Sequence, residues 1–167
     1  YLGGGTGSNI GTGTRMIFMG GTNGSSVVDV IQFITISTLG NAQDFGNLTA
    51  AKQEGAAASN HLRGIYFGGD PALNIIEFVT FSSLGDATDF GDLLNGAKSG
   101  TSMSNRTRGV LQLGGLTSNI LEYVTFAQTG NATDFGDMLT GGNAGSGFSS
   151  STRGVYAIGS NNANYKN

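Results

Sequence analysis

The sequence has no cysteine and no tryptophan, and it has one proline and one histidine among its 167 residues. Without cysteine, the chain can form neither a disulfide framework nor a thiolate zinc site. Charged residues make up only 11% of the chain, against about 25% in an average soluble protein. The net charge is -3 and the few lysines and arginines are mostly isolated. We therefore expect no nucleic-acid partner, because a surface that tracks phosphates needs clustered basic residues.

Long hydrophobic runs are also lacking. The apolar stretches are far shorter than the roughly 20 residues of a membrane-spanning helix, so we expect no membrane insertion. Glycine is abundant instead, with 30 residues. Glycine, serine, threonine and asparagine separate short apolar runs such as "NIIEFVTF" and "NILEYVTF". This composition is typical of many short strands joined by tight turns.

The sequence repeats itself. The segments "TRMIFMGG", "LRGIYFGG", "TRGVLQLGG" and "TRGVYAIGS" place equivalent arginines at 15, 63, 108 and 153, with spacings of 48, 45 and 45 residues. The predicted units are therefore 15–62, 63–107 and 108–152, flanked by partial units 1–14 and 153–167. The three extra residues of the first unit lie in "TNGSSVVDV", where we expect a longer turn. Because both ends interrupt a unit, we expect the sequence to be a fragment of a larger protein.

Each unit is predicted to contain four short strands. In the second unit they are "RGIYFGG", "NIIEFVTFS", "TDFGDLL" and "GTSMSN", separated by turn signals about every ten residues, which suits an all-β sandwich, barrel or propeller. No segment has a convincing helical period. The longer strand carries bulky apolar groups on both faces, so its sheet must be covered on both faces. A stack of similar sheets achieves this.

The order of these segments resembles a kelch-type repeat of a β-propeller. In kelch repeats a glycine pair ends the second strand, and an aromatic residue, usually tryptophan, begins the fourth. The resemblance places Phe45, Phe90 and Phe135 at that aromatic position. The sequence of the repeat is also similar to tandem repeats in tail or fibre proteins of marine phages, including cyanophages. The resemblance implies an all-β fold of kelch-like propeller blades, and a β-solenoid-like stacked fibre is the alternative.

The motif "GDATDFGDLL", here called the "DFG" phrase, recurs later in the chain as "GNATDFGDML". An earlier copy has the sequence "GNAQDFGNLT". The acids Asp86, Asp89 and Asp92 of the first-quoted copy suggest calcium, which prefers several oxygen ligands, although the other copies keep fewer acids. The alternative is structural. In that interpretation Asp or Asn hydrogen-bonds to local backbone N–H groups, the phenylalanine packs between blades, and the glycine of the turn has a positive φ.

The remaining candidates for chemistry are few. We expect Arg63 and Arg108 to pair with a repeated acid, Asp89 or Glu77, between adjacent sheets. His61 has no counterpart in the other units, and a solvated side chain is expected there. No G-x-S-x-G nucleophile turn occurs. We therefore expect no catalytic residue and no cofactor, and no residue is assigned to a metal site.

These observations predict a non-enzymatic repeat module, structural or receptor-binding, in a virion or another extracellular assembly. Its expected partners are other copies or subunits of the same assembly, and cell-surface glycans suit its polar, weakly charged loops. Two alternatives stay open. One is a glycan-active enzyme whose catalytic residues lie outside this segment, and the other is a purely architectural fibre.

Overall fold

The computed structural model describes residues 14–114, 118–157 and 159. These residues form thirteen strands in antiparallel sheets and contain no helix. The all-β prediction is confirmed. The partial units 1–14 and 153–167 lie mostly outside the described residues, as does much of the segment "LTSN" of the third unit.

The strands are short and follow one another at regular intervals. In chain order they are β1 (Arg15–Thr22), β2 (Val27–Thr35), β3 (Gln43–Asn47), β4 (Ala56–Ser59), β5 (Arg63–Phe67), β6 (Leu73–Thr80), β7 (Thr88–Ala97), β8 (Thr101–Ser104), β9 (Arg108–Gln112), β10 (Ile120–Thr125), β11 (Thr133–Asp137), β12 (Ser146–Ser149) and β13 (Gly154–Ala157). The first sheet has the order β1-β2-β3 and the second β4-β5-β6-β7. The third sheet has the order β8-β9-β10-β11, and β12 and β13 form a two-stranded fourth sheet.

The sheets are offset from the sequence units. All four strands predicted in the second unit are present as β5 to β8, but β8 pairs with β9 of the next unit, with Ser104 opposite Gly109. A tight turn explains this pairing. The side-chain oxygen of Asn105 accepts hydrogen bonds from the N–H groups of Thr107 and Arg108, both at 2.9 Å. The last strand of each sequence unit therefore becomes the first strand of the following sheet.

The extra residues of the first unit lengthen a hairpin. Gly21 pairs with Val28 and Thr22 with Val27, so only residues 23–26 remain as the turn. The Asn23 side chain closes that turn by accepting the N–H groups of two serines at 3.0 and 2.9 Å. The segment predicted to be a longer turn is therefore largely strand.

One apolar core is packed between the first and second sheets, and another is packed between the second and third sheets. The second sheet presents Tyr66 and Val79 to the first sheet, and it presents Ile65, Phe67 and Ile76 to the third. All five side chains are at most 3% exposed. Burying a large apolar side chain contributes about 1.5–3 kcal/mol, so both faces of this sheet stabilise the fold. The apolar character of both faces predicted this double coverage.

The first strands of the second, third and fourth sheets, which are β4, β8 and β12, lie side by side. Ser104 Oγ donates to the carbonyl of Ser59 at 2.8 Å, and Ser149 Oγ donates to the carbonyl of Ser104 at 2.7 Å. The Ser102 hydroxyl donates in the same way to the carbonyl of Ala57. Each bond spans 45 residues, so this edge repeats with the period of the sequence.

Candidate functional site

The "DFG" phrase joins successive sheets through its main chain. The N–H of Gly85 donates to the carbonyl of Phe45 at 2.8 Å, and the N–H of Ala87 donates to the carbonyl of Asn47 at 2.7 Å. One repeat later the same bonds measure 2.7 and 2.8 Å and join Gly130 to Phe90 and Ala132 to Asp92. The glycine and alanine that begin the phrase therefore bind the main chain of the phenylalanine and of the Asn or Asp near the end of the phrase in the preceding sheet.

The first acidic position of the phrase reinforces this junction. Asp86 Oδ1 accepts the N–H of Asn47 at 2.9 Å, and Asn131 Oδ1 accepts the N–H of Asp92 at 3.0 Å. Aspartate and asparagine both offer a side-chain oxygen acceptor. This position of the phrase therefore requires a hydrogen-bond acceptor and not a charge. That explains why it is Asn41, Asp86 and Asn131 in the three copies.

The glycine of the phrase allows the close approach. Gly46 and Gly91 have φ values of +150° and +145°. A Cβ on Gly46 would lie 2.3 Å from the carbonyl oxygen of Gly85, and one on Gly91 would lie 2.5 Å from the carbonyl group of Gly130. The prediction of a positive φ is confirmed. The prediction of a turn is wrong, because both glycines lie within strands beside irregularities of the β2–β3 and β6–β7 register.

The phenylalanine of the phrase is a buried anchor in the first two copies. Phe45 is 3% exposed and Phe90 is 2% exposed. Each ring meets an aromatic residue of its own sheet edge to face, with Phe33 at 6.0 Å and Phe78 at 5.7 Å between centroids. Such pairs add about 0.5–1.5 kcal/mol to the burial term. Phe135 is 49% exposed instead.

The structure does not bring the three candidate calcium ligands together. Asp86 binds the main chain of the preceding sheet, whereas Asp89 lies opposite Glu77 and Asp92 opposite Ile75 in the β6–β7 register. In the part of the chain that the structure describes, no group of three or more His, Cys, Asp or Glu residues is placed to hold a metal ion.

The predicted pairing of the repeated arginines with acids is wrong. Arg63 lies over the ring of Phe78, with its Cζ 4.8 Å from the centroid, and its Nη1 donates to the carbonyl of Phe126 in the next sheet at 2.6 Å. The same contacts occur one repeat earlier, at 4.9 and 2.5 Å, among Arg15, Phe33 and Phe81. A guanidinium can stack on a ring and still donate in its own plane. The arginine thus joins two sheets without a carboxylate.

The buried acid Glu77 has a lysine partner that the sequence did not predict. Lys52 Nζ lies 2.8 Å from Glu77 Oε2, and both side chains are 1% exposed. The N–H of Thr49 donates to Glu77 Oε1 at 3.2 Å, and the Thr49 hydroxyl binds the same oxygen. Lys52 links the segment after β3 to the second sheet. It adds to the contacts of the "DFG" phrase and of Arg15 between the first two sheets.

The equivalent acid in the third sheet has different partners. Glu122 is 0% exposed, and its carboxylate accepts the N–H of Leu94 at 2.9 Å and the amide of Asn95 at 3.4 Å. Lys98 pairs instead with Asp70 at the surface, at 2.7 Å. That hydrogen bond lowers the pKa of Asp70 and raises the pKa of Lys98. The sequence signals of this difference are the one-residue offset between Lys52 and Lys98 and the exchange of Thr49 for Leu94 at the equivalent position of the repeat.

His61 lies exposed in the turn between β4 and β5. A groove of about 320 Å³ opens between the third sheet and the hairpin β12–β13. Its walls include Arg108, Leu121, Phe135 and Arg153. The equivalent space between the second and third sheets is closed by the ring of Phe126, which lies against Gly109.

Comparisons with known proteins do not add a family. Neither the protein-family models nor the curated proteins match this chain. The described residues contain no helix that is long and apolar enough to cross a membrane. The conclusions on function therefore rest on the contacts of the chain itself.

Proposed function

We propose that this chain is a non-enzymatic repeat module that builds a structural and receptor-binding part of a virion or another extracellular assembly. One observation carries the proposal. The residues that recur with the repeat are engaged in contacts between sheets, as in the bonds from Gly85 to Phe45 and from Arg63 to Phe126. Residues that recur for packing indicate selection for assembly of the array.

The proposal includes kelch-like blades. Three features support it: the second and third sheets have four antiparallel strands in chain order, Gly68 and Gly69 follow β5, and Phe90 lies near the start of β7. The serine contacts that join β4, β8 and β12 suit strands gathered around a common axis. A map of the intact assembly tests this point, since blades curve around an axis whereas a stacked fibre extends along one.

Recognition is assigned to the turns that differ between units. The turn at residues 23–26 is exposed and reads Asn-Gly-Ser-Ser. Its counterpart in the second unit is the shorter segment at residues 70–72, with a cis Asp70–Pro71 bond. Neutral hydroxyl and amide groups donate to and accept from sugar hydroxyls without a charge. Cell-surface glycans are therefore the receptor class that we propose.

Glycan-array binding tests recognition. We expect binding by the wild type, and loss of binding when residues 23–26 are replaced by Asn-Gly, a two-residue turn that keeps Thr22 opposite Val27. A matched control replaces Ser37 and Thr38 by alanine in the exposed turn at the other end of β2. This control should bind like the wild type.

Three other outcomes would contradict parts of the proposal. Equal loss of binding in both variants would contradict the assignment to the 23–26 turn. No binding on any array by an assembled protein would support a purely architectural fibre instead. Hydrolysis or oxidation of a glycan by the chain would overturn the non-enzymatic proposal.

A further inference from the structure

We propose that Asn23 is a site of spontaneous covalent modification, at which the side chain cyclises onto the backbone nitrogen of Gly24 and loses its amide group as ammonia. The products are aspartate and isoaspartate. Either product adds a negative charge to the turn at residues 23–26, to which we assign recognition. The chemistry rests on the geometry of this turn, whereas its effect on glycan binding rests on the proposed function.

Asn-Gly is the dipeptide at which this cyclisation is least hindered. Glycine has no side chain beside its attacking nitrogen, and its backbone is free to adopt the conformation that a five-membered ring requires. The chain contains Asn-Gly at two places, Asn23–Gly24 and Asn95–Gly96. Both asparagines are exposed, so access to water does not distinguish them. The local structure around each dipeptide therefore decides which one reacts.

The turn between β1 and β2 polarises the side chain of Asn23. Its Oδ1 accepts the N–H groups of Ser25 at 3.0 Å and of Ser26 at 2.9 Å. Two donors aimed at an amide oxygen stabilise the negative charge that develops there when a nucleophile attacks the carbon. The Gly24 N–H donates to Thr22 Oγ1 in a longer bond of 3.2 Å, which is weak enough to break when that nitrogen loses its proton.

The modification consumes one water and releases one ammonia. The backbone nitrogen of Gly24 gives its proton to solvent and bonds to Cγ of Asn23, and the Cγ–Nδ2 bond breaks as Nδ2 leaves as ammonia with a proton from solvent. Water then opens the resulting succinimide. Cleavage of its bond between Cγ and the Gly24 nitrogen gives aspartate, and cleavage at the main-chain carbonyl of residue 23 gives isoaspartate.

The second Asn-Gly has the same sequence in a different setting. Asn95 and Gly96 lie within β7, which spans Thr88–Ala97. The side-chain amide of Asn95 donates to Glu122 Oε1 at 3.4 Å, so the group that must leave is held by a carboxylate. A Cβ on Gly96 would clash with the carbonyl of Ala72, which shows how closely the main chain is packed there. The strand therefore resists the bend that ring closure requires.

Two other turns have the polarised amide without the glycine. Asn60 Oδ1 accepts the N–H groups of Leu62 and Arg63, both at 2.8 Å, and Asn105 makes the equivalent bonds in the next repeat. The residues that follow these asparagines are His61 and Arg106, whose side chains hinder attack by their backbone nitrogens. Asn23 combines the polarised amide of these turns with the glycine of the 95–96 dipeptide.

Tandem mass spectrometry of protein stored at neutral and mildly alkaline pH tests the site. We expect the folded chain to convert Asn23 at least about tenfold faster than Asn95, because orientation of the reacting atoms controls such rates. The conversion should be faster at the higher pH, since the attacking nitrogen must lose a proton. In urea the two sites should react at similar rates. Equal rates in the folded chain, or no conversion of Asn23, would overturn the proposal.

A gain of reactivity provides a second test. His61→Gly gives the exposed turn at residues 60–63 the same dipeptide that occurs at Asn23, and we expect Asn60 to become a second rapidly converted site. The melting temperature of this variant establishes that it is folded. Asn95 in the same variant is the matched control and should stay slow. Conversion of Asn60 that is no faster than in the wild type would contradict the role of the turn.

The effect on recognition is measured within one stored sample. Anion exchange separates converted from intact protein, because aspartate and isoaspartate each carry a charge that asparagine lacks. Isoaspartate also lengthens the main chain of the turn by one carbon. We expect the intact fraction to bind a glycan array and the converted fraction to lose binding. Equal binding by the two fractions would reject any control of recognition by Asn23.

These outcomes separate the inference from the proposed function. Conversion of Asn23 in a protein that binds no glycan would keep the modification site and reject recognition by the turn. Glycan binding by a protein whose Asn23 stays intact in storage would keep recognition and reject the modification site.

Discussion

Lys52 Nζ lies 2.8 Å from Glu77 Oε2, with both side chains 1% exposed, and the pair joins two sheets. Removing one member of a buried ion pair leaves an uncompensated charge. We expect Lys52→Met to destabilise the fold by about 3–5 kcal/mol in urea unfolding. Lys52→Met with Glu77→Leu should recover most of that loss. The exposed Lys98–Asp70 pair is the control, and Lys98→Ala should have little effect.

Tyr66 should make stability depend on alkaline pH. Burial raises the pKa of Tyr66 from 10.0 to about 12, while its hydroxyl also accepts the N–H of Gly55. The unfolded chain ionises first, so the contribution of Tyr66 is complete below pH 10 and is lost as the pH rises towards 12. We expect roughly 1–3 kcal/mol of stability to be lost in this interval.

Urea unfolding of the wild type and Tyr66→Phe between pH 9 and 12 measures that contribution. The phenylalanine variant loses the Gly55 bond at every pH, which gives a constant offset. The difference between the two proteins should therefore shrink as the pH rises. A constant difference would contradict the role of Tyr66.

Gly91 and Gly136 hold the same place in the repeated phrase but differ in surroundings. Alanine at Gly91 would place a Cβ 2.5 Å from the Gly130 carbonyl group, whereas alanine at Gly136 meets nothing within 4 Å. Backbone strain at either site costs about 1–3 kcal/mol, and the clash adds to it only at Gly91. Thermal unfolding should therefore show a larger loss for Gly91→Ala. Equal losses would show that the phrases do not approach closely.

Phe90 and Phe135 form a second matched pair. Truncating a buried phenylalanine costs about 3–5 kcal/mol, so Phe90→Ala should strongly lower the melting temperature of the protein. Phe135 is 49% exposed, so Phe135→Ala should cost the isolated chain less than about 1 kcal/mol. Denaturant titration of the wild type and both variants measures the two losses.

Asp86 should act as an acceptor and not as a metal ligand. Asp86→Asn keeps the bond to the N–H of Asn47, so its stability should match the wild type within about 0.5 kcal/mol. Asp86→Ala should lose about 1 kcal/mol. Adding calcium should leave both melting temperatures unchanged. A calcium-dependent rise in the wild type that Asp86→Asn abolishes would restore the calcium hypothesis.

Local sequence signals were reliable for strands and their buried residues, and less so for turns, since Gly91 and most of the segment after Gly21 lie in strands. The alternation of bulky residues around Ile76 predicted a sheet buried on both faces, and the recurrence of Phe90 and Gly91 predicted an anchor and a positive φ. These features depend on side-chain size and on backbone freedom, which a residue carries with it. The exposed Phe135 shows the limit, because the same residue in the same phrase is buried only where another sheet covers it.

Contacts between sheets were predicted less well. Arg63 was expected to bind an acid, but it reaches the carbonyl of Phe126, which no pattern of side chains reveals. Lys52 was missed because its partner Glu77 lies in another repeat and Lys98 is shifted by one residue. Main-chain acceptors are present at every residue, so sequence cannot show which one lies within reach.

The sequence by itself determined the period of the repeat, the β-strands and the residues that anchor them, because spacing and local propensity specify these. Only the tertiary structure decided that β8 belongs with β9 and that the "GDA" segment of one phrase binds the "DFG" segment of the preceding one. In a periodic chain, each strand has equally suitable neighbours on both sides in sequence. The tight Asn105 turn and the close approach at Gly91 select between them, and those are properties of the folded chain.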